Sequence, residues 1–257
     1  MGGAEVTAPE RVTYVGHATV LVELGGTRLL TDPVLRGRVG PLRRHGAAPA
    51  PGLTQGLDAV LISHLHHDHA DLPSLRRIGR DVRVLASPGG GEFLGRHGFA
   101  DVTELAPGES ARVGEVTVTA TEAWHPGGGR FERESRAVGF TLSAGHRRVY
   151  FAGDTDLFDD MGKLGGELDL ALLPIWGWGT SIGEGHLDPE RAAQAAALLS
   201  PRIAVPIHWG TLYPLGLARL RPGPLSTPPR EFVARARDLA PQVEVRVLAP
   251  GEATSLA

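Results

Sequence analysis

Four histidines and two aspartates share one short stretch of the chain, SHLHHDHADL at residues 63–72. The spacing is H-x-H-x-D-H, and its members are His64, His66, Asp68 and His69. The uninterrupted apolar run AVLI lies directly before it, which is typical of a strand buried on both faces. A solvated polar turn commonly holds one histidine rather than four, so the stretch predicts metal binding.

Strand geometry indicates how this stretch would hold metal. Side chains alternate along an extended chain, so His64 and His66 point to the same side and can bind one ion. Asp68 and His69 come where the strand gives way to a loop, so they can turn toward a second ion. His67 falls between the ligand positions, and we expect it to take no part.

Three further candidate ligands follow other apolar runs. His125 ends VTVTATEAWH, Asp154 ends RRVYFAGD and His208 ends RIAVPIH, each before a loop that contains Gly or Pro. Functional groups concentrate where a strand meets a loop. With the first stretch, these residues complete two sites built from histidine and carboxylate. That donor set suits Zn²⁺, with Mn²⁺ or Fe²⁺ as the alternatives.

The elements that must position these residues are predicted to be a mixture of strands and helices. We expect strands at 12–23 and 27–31 joined at Gly25-Gly26, a surface loop at 35–56, and helices at 73–78 and 91–97. Asp188 followed by Pro189 predicts the start of a longer helix. PREFVARARDL predicts the last helix and VEVRVL a closing strand.

Two stretches resemble one another, ELAPGESARV at 104–113 and VLAPGEATSL at 247–256. Each follows a predicted helix and strand, so the pair marks either an internal duplication or only the same turn chemistry. On the first interpretation, the chain is a single domain, 1–257, made of two αβ halves at roughly 1–125 and 126–257. Their sheets would pack face to face, with the helices outside.

Composition excludes several classes of protein. With 257 residues, 42% of them hydrophobic, the chain can bury a full core. A net charge of −3 gives no general reason to expect nucleic-acid binding, and the absence of cysteine removes thiolate zinc sites and disulfides. There is neither a signal-peptide pattern nor a run of about 18 apolar residues. We therefore expect a cytoplasmic protein without stable membrane insertion, and the oligomeric state stays open.

These motifs resemble the metallo-β-lactamase superfamily of metal-dependent hydrolases, and the match runs from Gly16 to Gly210. YVGHATVLVEL, LLTDPVL, LISHLHHDHAD, VYFAGDTDLF, GHLDPERAA and VPIHWGT are similar to one branch of it. That branch contains N-acyl-phosphatidylethanolamine-hydrolysing phospholipase D and L-ascorbate-6-phosphate lactonase. The resemblance implies an α+β fold, the four-layer αββα sandwich, with the site along one edge where the strand-end loops gather.

The resemblance also implies a ligand set and a mechanism. It assigns His64, His66 and His125 to one metal ion, Asp68, His69 and His208 to the other, and Asp154 to both as a bridge. Two such ions lower the pKa of a bridging water toward neutrality and polarise the oxygen of the bond under attack. Asp68 and Asp154 are then catalytic residues as well as ligands, Asp154 as the bridge between the ions and Asp68 because it can orient the hydroxide.

Residues near the ligands are candidates for substrate contact. His186 is expected at the substrate's phosphoryl side, as a catalytic and substrate-binding group. His17 and Asp32 end early strands; we expect His17 to bind substrate and Asp32 to hold a ligating histidine. Trp176 and Trp178, in PIWGWGTS, flank the predicted mouth as candidates for an apolar wall, with core packing as the alternative for one of the two. Arg130 is a candidate for binding an anionic small molecule, although most arginines are expected on the surface.

Three functions fit these features. The leading hypothesis is a hydrolase with two zinc ions that cleaves a phosphodiester or a related ester. The second is a lactonase acting on a small sugar-like or acyl lactone. The third is a metal-binding sensor without enzymatic activity, and the complete ligand set argues against it.

Overall fold

The computed structural model describes residues 10–126 and 136–257. The α-helices are α1 (Leu72–Ile78), α2 (Gly90–Arg96), α3 (Pro189–Leu199) and α4 (Thr227–Leu239). The strands are β1 (Arg11–Gly16), β2 (Thr19–Leu24), β3 (Thr27–Thr31), β4 (Arg38–Val39), β5 (Leu42–Arg44), β6 (Ala59–Ile62), β7 (Val84–Ala86), β8 (Val102–Glu104), β9 (Ser110–Val113), β10 (Val116–Glu122), β11 (Val138–Ala144), β12 (Arg147–Phe151), β13 (Leu170–Pro174), β14 (Ile203–Ile207), β15 (Leu212–Pro214), β16 (Glu244–Val245) and β17 (Ala253–Ser255).

The strands form two seven-stranded sheets and a small third one. The first sheet has the order β17-β1-β2-β3-β6-β7-β8, and the second has the order β16-β14-β13-β12-β11-β10-β9. In both, antiparallel hairpins occupy one side and parallel strands the other. The third sheet, β15-β5-β4, is antiparallel throughout.

The buried clusters show that the layers are helix, sheet, sheet, helix. One buried cluster contains alternate residues of both sheets, among them Val22 and Leu61 from the first and Phe140 and Leu172 from the second. The two sheets therefore pack face to face. A second cluster packs the outer face of the second sheet on α3 and α4, and a third packs the outer face of the first sheet on α1 and α2. The predicted four-layer αββα sandwich is therefore confirmed.

The strand pattern of the two large sheets is the same when each is followed from one edge. Each begins with an antiparallel edge strand, β17 or β9, continues through a three-stranded meander and ends with parallel strands. The repeated Leu-Ala-Pro-Gly-Glu motif carries the chain across to that edge strand both times. In each copy, the glutamate carboxylate accepts a hydrogen bond of 2.8 Å from the alanine N–H. We therefore propose an internal duplication whose halves meet at the β9–β10 turn, shortly before residue 125.

Two sequence predictions about strands were wrong. The strand predicted at 12–23 is a hairpin, because Gly16 (φ 121°) and His17 (φ 59°) have left-handed backbone angles that reverse the chain between β1 and β2. The loop predicted at 35–56 contains β4 and β5. These strands are too short to show alternation, and β5 is held by β15, which lies far along the sequence.

The predicted helices are confirmed, and so is the predicted cap Asp188. The Asp188 carboxylate accepts a hydrogen bond of 2.8 Å from Arg191 N–H at the start of α3, and Asp71 caps α1 through Ser74 N–H at 3.1 Å. The closing strand is shorter than VEVRVL predicted, since only β16 pairs there. Within the described ranges, no helix has the length and apolar character needed to span a membrane.

Candidate metal centre

Three histidines from two strand ends form a first ligand set. His64 and His66 follow β6, and His125 follows β10 across the gap between the two large sheets. Their candidate ligand atoms all lie within 4.8 Å of one another, and His66 Nδ1 is 3.2 Å from His125 Nε2. The structure thus brings together the three residues that the resemblance assigned to one ion.

A second ligand set lies beside it and contains Asp68, His69 and His208. The Nε2 atoms of His69 and His208 are 3.1 Å apart, and Asp68 Oδ2 lies 3.7 Å from the first and 3.8 Å from the second. All three side chains are buried. These are the residues assigned to the other ion, and His17 joins them at similar distances.

Asp154 lies between the two sets. Its Oδ2 is 3.2 Å from His69 Nε2 and 4.0 Å from His64 Nε2, and its Oδ1 is 3.2 Å from His208 Nε2. The preceding Gly153 has a φ of 63°, and a Cβ at that position would lie 2.8 Å from the Cβ of Ser63. Only glycine lets the end of β12 approach the end of β6 so closely. The geometry fits a carboxylate shared by two ions.

Two buried polar atoms indicate that the site is built for cations. His64 Nε2 and Asp154 Oδ1 are buried without a hydrogen bond among the described residues, although the latter is near His208. An unpaired buried polar atom costs about 1–3 kcal/mol, so such atoms call for a partner. Histidine nitrogens and carboxylate oxygens without thiolates are a donor set for zinc and similar divalent ions. The residues present therefore fit two such ions.

The protonation states also suit a pair of cations. Burial lowers the pKa of His64 and His125, and it lowers the pKa of His208 to about 3, which leaves these imidazoles neutral at pH 7. Burial raises the pKa of Asp68 and Asp154, but the neighbouring histidines outweigh it and hold both pKa values well below the usual range. The site thus offers neutral imidazoles and charged carboxylates, the forms that bind metal.

His69 differs from the other histidines of the site. Burial lowers its pKa, but Asp154, Asp68 and Asp32 together outweigh burial and raise the pKa well above its ordinary value. Without metal the ring holds a proton among three carboxylates. A divalent cation at Nε2 would replace that proton and balance the same negative charge.

Most ligating histidines are oriented by a partner on the other ring nitrogen. Asp32 Oδ2 accepts from His69 Nδ1 at 2.7 Å, the carbonyl of Gly185 accepts from His125 Nδ1 at 2.9 Å, and the carbonyl of Trp176 accepts from His208 Nδ1 at 2.8 Å. Such partners fix the tautomer and leave Nε2 for the metal. The structure places Asp32, fully buried, where the sequence analysis expected a histidine partner.

Ser63 is a functional residue that the sequence analysis did not identify. Its N–H and hydroxyl donate to the two Asp32 oxygens at 2.8 and 2.6 Å, and its Oγ lies 2.9 Å from His64 Nδ1. It therefore links the residue that orients His69 to a ligand of the first set. Its position directly before the H-x-H motif was the available signal.

The prediction that His17 binds substrate disagrees with its position. The side chain is buried, its Nε2 lies 2.8 Å from Asp68 Oδ2, and its ring is 3.9 Å from that of His208. Its N–H donates to Thr211 Oγ1 at 3.0 Å, and its carbonyl accepts from His208 N–H. His17 lies behind the second ligand set, where it holds Asp68, rather than in the cavity.

A cavity of about 670 Å³ opens above the two ligand sets, and we call it the site cavity. His66, Asp68, Asp154 and His186 line its floor. His186 Nε2 is 3.6 Å from Asp154 Oδ2, so the structure brings this predicted substrate residue to the ligands. The exposed His67 lies at the cavity wall and belongs to neither set.

Of the two tryptophans that were candidates for the wall, the structure places Trp178 in the site cavity and Trp176 outside it. The side chain of Trp176 lines a separate pocket beside Asp188 and Arg235, and its Nε1 donates to the carbonyl of Gly179. Trp178, with 43% of its surface exposed, lines the site cavity instead. A sequence pattern of two tryptophans around one glycine does not show which ring faces the cavity.

Three described arginines in this region, Arg36, Arg44 and Arg136, are bonded to the protein itself. Arg36 lines the cavity, but its Nε and Nη2 donate to the Asp71 carboxylate at 2.7–3.1 Å. Arg44 is buried and donates to the carbonyl of Val15, and Arg136 pairs with Glu122 on the surface. Arg130, the predicted substrate arginine, lies outside the described residues.

Comparisons with known proteins agree with this geometry. Residues 27–209 match the family described as Beta-lactamase superfamily domain. A UPF0173 metal-dependent hydrolase of Rubrobacter xylanophilus is 36% identical over 96% of this chain and 97% of its own. The structure of Igni18, a metallo hydrolase from Ignicoccus hospitalis, is 26% identical over 95% of this chain and 97% of its own, with a TM-score of 0.71.

A second solved structure supports the fold alone. A possible metal-dependent hydrolase of Veillonella parvula is 18% identical, covers 96% of this chain and 100% of its own, and has a TM-score of 0.74. The narrower resemblance to the phospholipase and lactonase branch stays a prediction. The chain belongs to the beta-lactamase superfamily, with relatives among the UPF0173 metal-dependent hydrolases.

Proposed function

We propose that this protein is a hydrolase that holds two divalent metal ions, zinc by preference, and cleaves an ester bond. The observation that carries the proposal is the position of Asp154 between two complete ligand sets at the floor of a cavity. Relatives of the chain bear the name metal-dependent hydrolase, which agrees with this chemistry. The complete ligand sets also argue against a sensor without activity.

Each group of residues has a distinct part in the proposed reaction. His64, His66 and His125 would hold one ion, Asp68, His69 and His208 would hold the other, and Asp154 would serve both. When bound, two such ions supply a hydroxide nucleophile at neutral pH and polarise the bond under attack. Asp32 and His17 keep His69 and Asp68 in their productive orientations.

His186 is the candidate group for contact with the reacting substrate. Its ring packs edge-on against that of His125 at 4.7 Å, and its Nδ1 lies 3.2 Å from the carbonyl of Glu184. If Nδ1 donates to the carbonyl of Glu184, Nε2 is the hydrogen-bond acceptor that faces the cavity floor. A protonated ring would donate a hydrogen bond from Nε2 instead. It can therefore hold a polar substrate oxygen or hydrogen beside Asp154.

Of the two substrate classes, a carboxylic ester or lactone fits the described cavity better than a phosphodiester. A phosphodiester carries its own negative charge, which the two ions would partly balance and which a free arginine or lysine would help to hold. Arg36 is the one such residue among the described lining residues, and its guanidinium is already paired with Asp71. The phosphodiester remains the second candidate because His186 lies at the cavity floor, where a phosphoryl oxygen would lie.

The test is hydrolysis of three probes by one preparation, before and after removal of metal with a chelator. We expect a simple lactone and a 4-nitrophenyl carboxylic ester to be cleaved by the zinc-loaded protein and not by the stripped protein. Faster metal-dependent cleavage of bis(4-nitrophenyl) phosphate would favour the phosphodiesterase. No cleavage of any probe with two ions bound would contradict the proposal.

A further inference from the structure

The walls of the site cavity are apolar where they rise above the metal ligands. Val39, Pro41 and Leu42, from the β4–β5 hairpin, form one side. Trp178 and Ile182, from the segment between β13 and α3, form the other. Two segments that are distant in sequence thus place hydrophobic side chains around one space.

Trp178 and Ile182 do not belong to the buried hydrophobic clusters of the described residues. Trp178 is 43% exposed and Ile182 is partly exposed, whereas the residues of those clusters are almost fully buried. Large apolar side chains that are exposed together at a concave surface mark a site for an apolar ligand more often than a folding requirement. The exposure of Trp178 and Ile182 therefore points to contact with a ligand in the cavity.

The electrostatics of the described wall favour a neutral ligand. The charged side chains at the cavity are the carboxylates of Asp68 and Asp154, which face the metal positions, and the guanidinium of Arg36. Because Asp71 makes a bidentate pair with Arg36, that positive charge is already balanced. Among the described residues that line the cavity, no unpaired arginine or lysine would hold an anionic group away from the metal ligands.

We propose that the site cavity binds the apolar acyl or alkyl part of a neutral ester, while the ester group itself lies over the ligands. This inference rests on the proposed function, since it names the substrate class of the same site. A volume of about 670 Å³ lies within the range of roughly 300–1,000 Å³ typical of sites for small organic ligands. The cavity can therefore take a chain well beyond acetyl.

The first test is a series of 4-nitrophenyl esters, from acetate through butyrate to octanoate, with the zinc-loaded protein. Burying one more methylene should raise kcat/KM about fourfold until the cavity is filled. The double variant Trp178→Ala, Ile182→Ala should lose at least about tenfold on the octanoate and much less on the acetate. A flat series, or preference for mono(4-nitrophenyl) succinate over the butyrate, would overturn the inference.

The matched control is Leu198→Ala. Leu198 is 51% exposed on α3, lies outside the residues that line the site cavity, and should leave the whole series unchanged. If the control shifts the series as much as the double variant, the effect comes from general loss of apolar surface, and the assignment to this cavity is wrong.

A second test does not depend on catalysis. The neutral fluorophore N-phenyl-1-naphthylamine should bind saturably to the chelator-treated protein and to Leu198→Ala. The Trp178→Ala, Ile182→Ala variant should bind it at least about tenfold more weakly. Equal binding by all three proteins, or no binding to any, would overturn the inference even if esters are cleaved. Clear binding without cleavage of any ester would instead support the cavity assignment and contradict the proposed hydrolase.

Discussion

Replacing Asp32 with asparagine should weaken the metal site without touching a ligand. In the native protein, the Oδ2 of Asp32 accepts from His69 Nδ1 at 2.7 Å and from the hydroxyl of Ser63 at 2.6 Å. In the native protein, the N–H of Ser63 donates to Asp32 Oδ1 at 2.8 Å, and the side-chain oxygen of asparagine can still accept this bond. Its NH₂ group then faces His69 Nδ1, and two donors meet.

The ring of His69 can relieve that conflict only by moving its proton to Nε2, the nitrogen that faces Asp154 and His208. That tautomer has no lone pair for a metal at this position. Loss of such an orienting partner typically costs 10–100-fold in affinity, which corresponds to about 1.4–2.7 kcal/mol. We expect the ion of the second ligand set to bind that much more weakly and the ion of the first set to bind nearly as before.

The assay is a titration of chelator-treated Asp32→Asn with zinc, in competition with a chromophoric chelator. Asp71→Asn is the matched control, because Asp71 is also a buried aspartate with several hydrogen bonds, yet it caps α1 rather than orienting a ligand. Asparagine caps helices as well as aspartate does, so this variant should bind both ions normally. If Asp32→Asn and Asp71→Asn titrate alike, the orienting role assigned to Asp32 is wrong.

Four other predictions concern the same centre. Asp154→Ala should lower both the zinc content and kcat/KM, the latter by about a thousandfold, and an active variant with full zinc would refute the bridging assignment. His67→Ala should change kcat/KM less than about threefold, so a complete loss of activity would make His67 a functional residue. His17→Asn, which the positive φ tolerates, should reduce affinity for one ion about tenfold by zinc titration, whereas a raised KM alone would restore the substrate-binding interpretation. Below pH ~6.5, the free energy of unfolding of the metal-free protein, measured by urea unfolding, should fall by up to ~1.4 kcal/mol per pH unit for His208 alone. The reason is that His208 takes up a proton in the unfolded chain but not in the native state, where its pKa is about 3. The raised pKa of His69 affects stability only above that window, so a stability that is flat from pH 6.5 to 5 would contradict the burial of neutral histidines.

The ligands could be predicted from the sequence because each follows a strand that is itself easy to recognise. His64, His125, Asp154 and His208 come directly or shortly after apolar runs, and the structure brings all of these ends to one edge of the sandwich. Periodicity and local order indicated these residues as candidates, since parallel and adjacent strands bring their ends together, and the family resemblance assigned them to two ions.

The roles of residues around the ligands depend on contacts between distant segments. His17 was expected to bind substrate from the end of a strand, but the left-handed turn at Gly16 and His17 folds it behind Asp68. The hairpin β4–β5 was read as a loop, because its strands have two and three residues and are completed by β15. Neither the turn nor this pairing leaves a periodic pattern in the sequence.

The central claim is that the chain holds two ions joined by one carboxylate, and the number of bound ions tests it most directly. The measurement is zinc per chain by mass spectrometry after metal is removed, restored and dialysed, for the native protein and for Asp154→Ala. The account predicts two ions per native chain and at most one in the variant. Saturation of the native chain at one ion, or two ions retained without Asp154, would contradict it.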